Sequence, residues 1–260
     1  MKNILVIDSG VGAVSIASEI KKLINANLFI YIDNFHSPLG EKKREQLIKI
    51  ADDIVGKCLK RFNVDLIVIA CNTLTVATID YLRKKYKVNF VGTEPNVKIK
   101  ERKAIIICTT YTYSNCKILK FSSFDKLPMP KLASLIDKNL RNLWVLSGYL
   151  SAFLKKLEME KYNAISLGCT HYTYIEKIIK KFLPKIKIYQ NKSGVAKRVQ
   201  FLVQKLSTYC DKNAFIGQTK RKKKLKRIRK NCKKFKGRVK FILSKKDLKF
   251  KKQLKYYFQL

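Results

Sequence analysis

The stretch LIVIACNT, residues 66–73, runs five apolar residues straight into Cys71, Asn72 and Thr73, and a helical pattern near 74–86 follows at once. A short run of Ile, Val and Leu that ends in small polar residues reads as a strand buried on both faces. Strand followed by helix is one βα unit, and the pattern recurs on either side. Strands are expected at Asn3–Ile7, Leu28–Ile32, Leu66–Ala70, Asn89–Val91, Ala104–Cys108, Ala164–Leu167 and Lys187–Tyr189. Helical stretches lie near 13–24, 42–61, 74–86, 145–159, 173–182 and 195–207, and no element is assigned over 120–143. Alternation of this kind predicts an α/β fold around mainly parallel sheets.

Three strands end in groups that can bind or react. NILVI is followed by Asp8-Ser9-Gly10, LIVIA by Cys71-Asn72-Thr73, and AISL by Gly168-Cys169-Thr170-His171. Ligands in open α/β sheets sit beyond the carboxyl ends of strands, so these tips are expected to converge on one crevice. Each motif alone is weak, because a cysteine after an apolar strand is more often an inert buried thiol and Asp-Ser-Gly is more often a capped turn. Two thiols, each followed by hydroxyls and a helix start in widely separated βα units, carry more weight. A thiol at a helix N-terminus is expected to be lowered from its usual range toward neutrality, so that thiolate and thiol serve as base and acid. Inversion of a carbon centre needs one such group on each face.

The chain has 260 residues, 47% of them hydrophobic, which suits a folded protein of one large or two modest domains. Its net charge of +39 is unusual and would attract nucleic acid. The segment from Lys220 to Lys255 holds 20 of the 57 basic residues and one acid, Asp247, leaving +20 elsewhere. A charge spread this widely and dominated by lysine points to compositional drift, so specific nucleic-acid binding is not expected. Within the basic run, Leu225, Ile228, Cys232 and Phe235 fall at helical spacing, and Arg238–Leu243 has β character, so the C-terminus is expected to pack on the fold.

Seven cysteines form no Cys-x-x-Cys pair, and His36 and His171 are the only histidines, which argues against a metal site. The odd cysteine count, the absence of a signal-like segment and the lack of any apolar run long enough to span a bilayer predict a cytoplasmic protein with free thiols and no membrane partner.

At this point the segments IDSGVGAVSI, YIDNFHSPLG, VIACNTLTVAT and ISLGCTHYTYIEKI resemble, in order over about residues 3–210, the signature segments of bacterial glutamate racemases. The resemblance implies two similar α/β lobes, each a mainly parallel sheet flanked by helices, with the active site in the cleft between them. It implies lobes of 1–94 and 95–209, with 210–260 packing back on the first. It also implies glutamate as substrate, no cofactor and no metal, and a supply of D-glutamate to peptidoglycan. Cys71 would take the proton from D-glutamate and Cys169 from L-glutamate, with Asp8 supporting Cys71 and contacting the substrate ammonium and His171 assisting Cys169. Ser9, Asn72, Thr73, Thr109, Thr112 and Thr170 match positions that bind the carboxylates and amine. Ser193-Gly194 is read as mainly structural, and Asp33 as a turn and cap at least as readily as a substrate contact.

Departures from the family pattern are visible. Leu39, in Pro38-Leu39-Gly40, stands where the family usually has tyrosine at the pocket wall, and Ala13 replaces a glycine. Near Asp137 the family often carries a glutamate that aids the chemistry on the Cys169 side. Two alternatives stay open: a racemase of another acidic amino acid such as aspartate, and a basic nucleic-acid- or topoisomerase-binding protein with a vestigial site. Retention of both thiols, Asp8 and His171 speaks against decay. A homodimer is among the assemblies left open.

Overall fold

The structure is a computed structural model that describes residues 1–156, 158, 161–214, 236–245 and 247–259. The helix expected between Lys220 and Phe235 lies outside the described residues. In chain order the elements begin with β1 (Asn3–Asp8), α1 (Gly12–Leu23), β2 (Asn27–Ile32), α2 (Arg44–Arg61), β3 (Leu66–Ile69), α3 (Asn72–Lys85) and β4 (Asn89–Gly92). They continue with β5 (Ala104–Cys108), α4 (Thr110–Asn115), α5 (Lys117–Lys120), β6 (Asp125–Pro128), α6 (Leu132–Lys138), α7 (Ser147–Lys156), β7 (Ala164–Leu167), α8 (Glu176–Phe182) and β8 (Lys187–Tyr189). The chain then forms α9 (Lys192–Ala214), β9 (Val239–Leu243) and α10 (Leu248–Gln259). Short 3-10 turns at Leu143–Leu146 and Thr170–Ile175 lead into α7 and α8.

Two parallel sheets result, ordered β4-β3-β1-β2-β9 and β6-β5-β7-β8. The first four strands of each sheet follow one plan: the second strand pairs on one side of the first, the third on the other, and the fourth beyond the third. Each sheet therefore reverses direction between its first and third strands, at β1/β3 and β5/β7, and such a reversal opens a crevice at the strand ends. Strands β3 and β7, which lead into Cys71 and Cys169, occupy equivalent places. The fold class is two similar lobes, each a parallel sheet flanked by helices.

Burial explains the strands. Ile4, Leu5, Val6 and Ile7 of β1 are fully buried, each stabilising the fold by roughly 1.5–3 kcal/mol on leaving water. One apolar cluster joins side chains of both sheets with α1, α6 and the 170–175 turn, so the lobes share a core along one side of each sheet. Separate clusters cover the outer faces, under α2 and α3 in the first lobe and under Cys116 and α5 in the second.

The C-terminal strand β9 pairs in parallel with β2, Leu28 opposite Val239, and Phe258 of α10 packs edge-on against Phe241 at 5.7 Å. Helix α9 lies along α1. The unassigned stretch 120–143 holds α6 and the edge strand β6, whose sequence DKLP has no apolar alternation because this edge is half open to solvent. Proline ends β6 without cost there, since an edge strand has free N–H positions.

Candidate active site

The crevices of the two sheets face one cleft, lined by Ser9, Leu39, Gly40, Cys71, Asn72, Thr73, Thr109, Cys169 and His171. Cys71 caps α3 and Cys169 ends the loop after β7, each only 6–7% exposed. The free space between the walls is about 40 Å³, enough for roughly three waters. Three candidates stand behind this lining: Asp8, Thr112 and Thr170 do not reach the cleft surface. Met129, Pro130, Lys131, Ala133 and Ser134, in the stretch to which the sequence assigned no element, form part of the wall.

Asp8, at the tip of β1, is fully buried with both carboxylate oxygens engaged: Oδ1 accepts from the Ser9 N–H at 2.6 Å and Oδ2 from the Thr170 hydroxyl at 2.9 Å. Burial raises its pKa, against the opposing pull of His171, the Thr170 hydroxyl and the Ser9 N–H. In this arrangement Asp8 reaches Cys71 through its field, and its expected contact with a ligand ammonium is not preformed.

Cys71 corrects the expectation of a thiol lowered toward neutrality. Burial first, and then the charge of Asp8, push its pKa well above the usual thiol value. The Leu74 and Thr73 N–H groups at the start of α3 pull the other way and lose, because a helix end offers partial charges while desolvation acts on a full one.

Around Cys169 the arrangement is different. His171 Nδ1 lies 3.8 Å from Cys169 Sγ, and Nε2 lies 3.1 Å from Asp137 Oδ2. Burial alone would hold His171 neutral, but the Asp137 carboxylate outweighs it by charge and hydrogen bond, with Cys169 adding to it, so the pKa is raised well above the usual histidine value. Asp137 thereby takes the place near which the resemblance put a glutamate. Its other oxygen, Oδ1, accepts from the Val11 N–H at 3.0 Å, while the Tyr174 hydroxyl donates to the Val11 carbonyl at 3.1 Å. With the Thr170–Asp8 bond, these contacts clasp the β1–α1 turn from the second lobe.

The pairing sets a stability test. A histidine whose folded pKa is raised contributes stability that is fully present below its unfolded value near 6.5 and is lost as pH rises through the folded value. Asp137→Asn is therefore expected to cost about 1–3 kcal/mol near pH 6, with the deficit narrowing toward alkaline pH. Melting temperatures of both proteins across pH 5.5–10 check this, and a deficit independent of pH would contradict the ion pair.

Hydroxyls line the other side. Thr73 Oγ1 and Thr109 Oγ1 are 2.9 Å apart, and Thr109 Oγ1 donates to Thr112 Oγ1 at 2.9 Å, so Thr112 braces Thr109 from behind. The Gly40 carbonyl accepts from the Tyr111 N–H at 3.1 Å. Asn72 lines the cleft, and its Oδ1 is buried with no hydrogen-bond partner among the described residues. Leu39 is 3% exposed and gives this wall an apolar patch. Asp33 is buried and paired with His36 Nδ1 at 2.8 Å, outside the cleft lining, and Ser193-Gly194 opens α9. Among the described residues no group of three or more His, Cys, Asp or Glu side chains is placed to hold a metal, and no helix is long and apolar enough to cross a membrane.

No protein-family model matches the chain. It is 36% identical over 234 residues to a glutamate racemase of Clostridium acetobutylicum, covering 85% of this chain and 89% of that protein. It is 32% identical over 211 residues to a glutamate racemase of Aliarcobacter butzleri, covering 75% and 81%. Among solved structures, glutamate racemase of Escherichia coli, in complex with L-glutamate and the activator UDP-MurNAc-ala, is similar with a TM-score of 0.73 at 24% identity, over 78% of this chain and 82% of that one. Glutamate racemase of Francisella tularensis, in complex with D-glutamate, gives 0.72 at 20% identity, over 100% and 94%. These structural likenesses speak to the fold; the sequence relatives speak to descent, and by them this chain belongs to the glutamate racemase family.

Proposed function

We propose that the chain interconverts L- and D-glutamate by removing a proton from one face of Cα and returning one to the other, with Cys71 and Cys169 as the two acid–base groups. The observation that carries this reading is their equivalence: each follows the third strand of its own lobe, and both line one cleft. Cys169 works on L-glutamate. A protonated His171, held by Asp137, offers its Nδ1–H to Cys169 Sγ, which receives the Cα proton. Cys71, raised by burial and by Asp8, is a neutral thiol ready to give its proton to the opposite face. D-glutamate runs the same steps in reverse.

The orphaned Asn72 Oδ1 suits the substrate ammonium, and the Ser9 hydroxyl suits a carboxylate as a donor, joined by Thr73 and Thr109 once their protons turn away from Thr109 and Thr112. The β1–α1 clasp joins the two lobes beside the cleft, so its opening would admit glutamate. The reaction proceeds without cofactor or metal, in a reducing cytoplasm that keeps both thiols free, and its product feeds peptidoglycan.

Loss of optical rotation from L-glutamate tests the activity, and a substrate panel including aspartate tests the substrate. Deuterium oxide tests the mechanism. At low conversion, D-glutamate formed from L-glutamate is expected to carry deuterium at Cα from the first turnovers, while residual L-glutamate stays largely protiated. A single base serving both faces would carry its hydrogen across, so substantial unlabelled D-glutamate in the mass spectrum would rule out two thiols.

A further inference from the structure

Thiols and hydroxyls explain the inner part of the cleft, but the substrate proposed above carries two carboxylates against one ammonium. A net negative ligand calls for a cation. Besides His171, the side chains that bring charge to the lining are Glu41 and Lys131. Lys131 is exposed, and its side chain has no ion-pair or hydrogen-bond partner among the described residues.

Its backbone is left-handed, φ 64° and ψ −14°, a conformation that costs a residue with a Cβ. The chain on either side, at Met129 and at Leu132, holds it there. On one side the Met129 N–H donates to the Cys108 carbonyl at 2.7 Å, and the Tyr172 hydroxyl donates to the Met129 carbonyl at 3.2 Å. On the other, Leu132 is fully buried. Glycine would fit this turn without strain. A lysine kept in a strained turn on a cleft wall, between two anchored residues and with an unneutralised charge, is the signature of a side chain presented to a ligand.

We propose that Lys131 recognises the side-chain carboxylate of the substrate and sets the preference for acidic over neutral amino acids. The assignment rests on the function proposed above. Hydroxyls can hydrogen-bond either a carboxylate or an amide, so they discriminate weakly; a cation favours the carboxylate by charge. Lys131 is a specificity residue and takes no part in proton transfer.

The full chain is compared with Lys131→Met, Lys131→Arg and Lys131→Gly. Methionine is expected to raise KM for both glutamate enantiomers about 3- to 10-fold with kcat within about 2-fold, while arginine restores a KM near that of the parent. The gap between parent and methionine variant should narrow as salt rises. Glycine separates binding from structure. By relieving the turn it should raise the melting temperature by about 2–4 °C, yet it should raise KM as methionine does.

A probe that needs no turnover keeps the two proposals apart. Glutarate, a dicarboxylate that cannot racemise, should bind the methionine variant about 3- to 10-fold more weakly by calorimetry, whereas butyrate, with one carboxylate fewer, should bind both proteins alike. Glutarate affinity and glutamate KM that are unchanged in Lys131→Met and Lys131→Gly would overturn the assignment. Lysine-dependent glutarate binding in a chain that does not racemise glutamate would overturn only the function, and a parent that neither binds glutarate nor turns over glutamate would overturn both.

Discussion

Cys71→Ser and Cys169→Ser are each expected to reduce racemisation about 100- to 10 000-fold in both directions, the range that a positioned acid or base supplies. Serine nearly preserves the shape, and both sites are buried in a packed wall, so the folded structure should persist with a melting temperature close to the parent. What changes is acidity: a hydroxyl neither holds the negative charge nor gives up its proton near neutral pH as a thiol can. In the proposed mechanism every turnover uses one thiol to take and the other to give, so neither variant could fall back on a single direction. The two losses should nevertheless leave different residues of activity. Cys71→Ser retains Cys169 with His171 and should still exchange the Cα hydrogen of L-glutamate with solvent, slowly and without inversion. Cys169→Ser should show that exchange with D-glutamate instead. Near-normal turnover by either variant would sink the two-thiol assignment, and exchange with the opposite enantiomers would reverse the roles.

Gly10→Ala should lower turnover about 100-fold although it adds only one methyl group. That methyl would lie 2.2 Å from Asp137 Oδ2 and 2.3 Å from His171 Nε2, closer than any real Cβ contact. Asp137 is tied to Val11 and His171 to both Asp137 and Cys169, so relief has to come from displacing the histidine or opening the clasp. A shift of about 1 Å in a catalytic group costs on the order of 100-fold, because the reacting atoms leave their aligned positions. The effect should fall on kcat more than on KM, since Gly10 lies outside the cleft lining. Gly148→Ala is the control, with no atom within 4 Å of the added methyl, and should leave turnover unchanged. Parent-like kcat in Gly10→Ala would mean that the His171–Asp137 pair is not needed in the arrangement seen.

The sequence by itself determined the βα alternation, because strands buried on both faces must be continuous runs such as LIVI, and it determined which residues end those runs. Asp8, Cys71 and Cys169 were legible as strand tips for that reason, as was the β character of 239–243. Segment 125–138 was not legible. An edge strand such as DKLP needs no apolar face, and a short helix beginning after a left-handed lysine carries no start signal. The state of the site was decided only by the tertiary structure. Asp137 meets Val11 across 126 residues of chain and Thr170 meets Asp8 across 162, distances that no local pattern encodes. The thiol at the start of α3 reads from the sequence as one lowered by a helix end, yet it is raised in the fold, because the cost of burying charge and the nearness of Asp8 depend on what surrounds the sulfur in space.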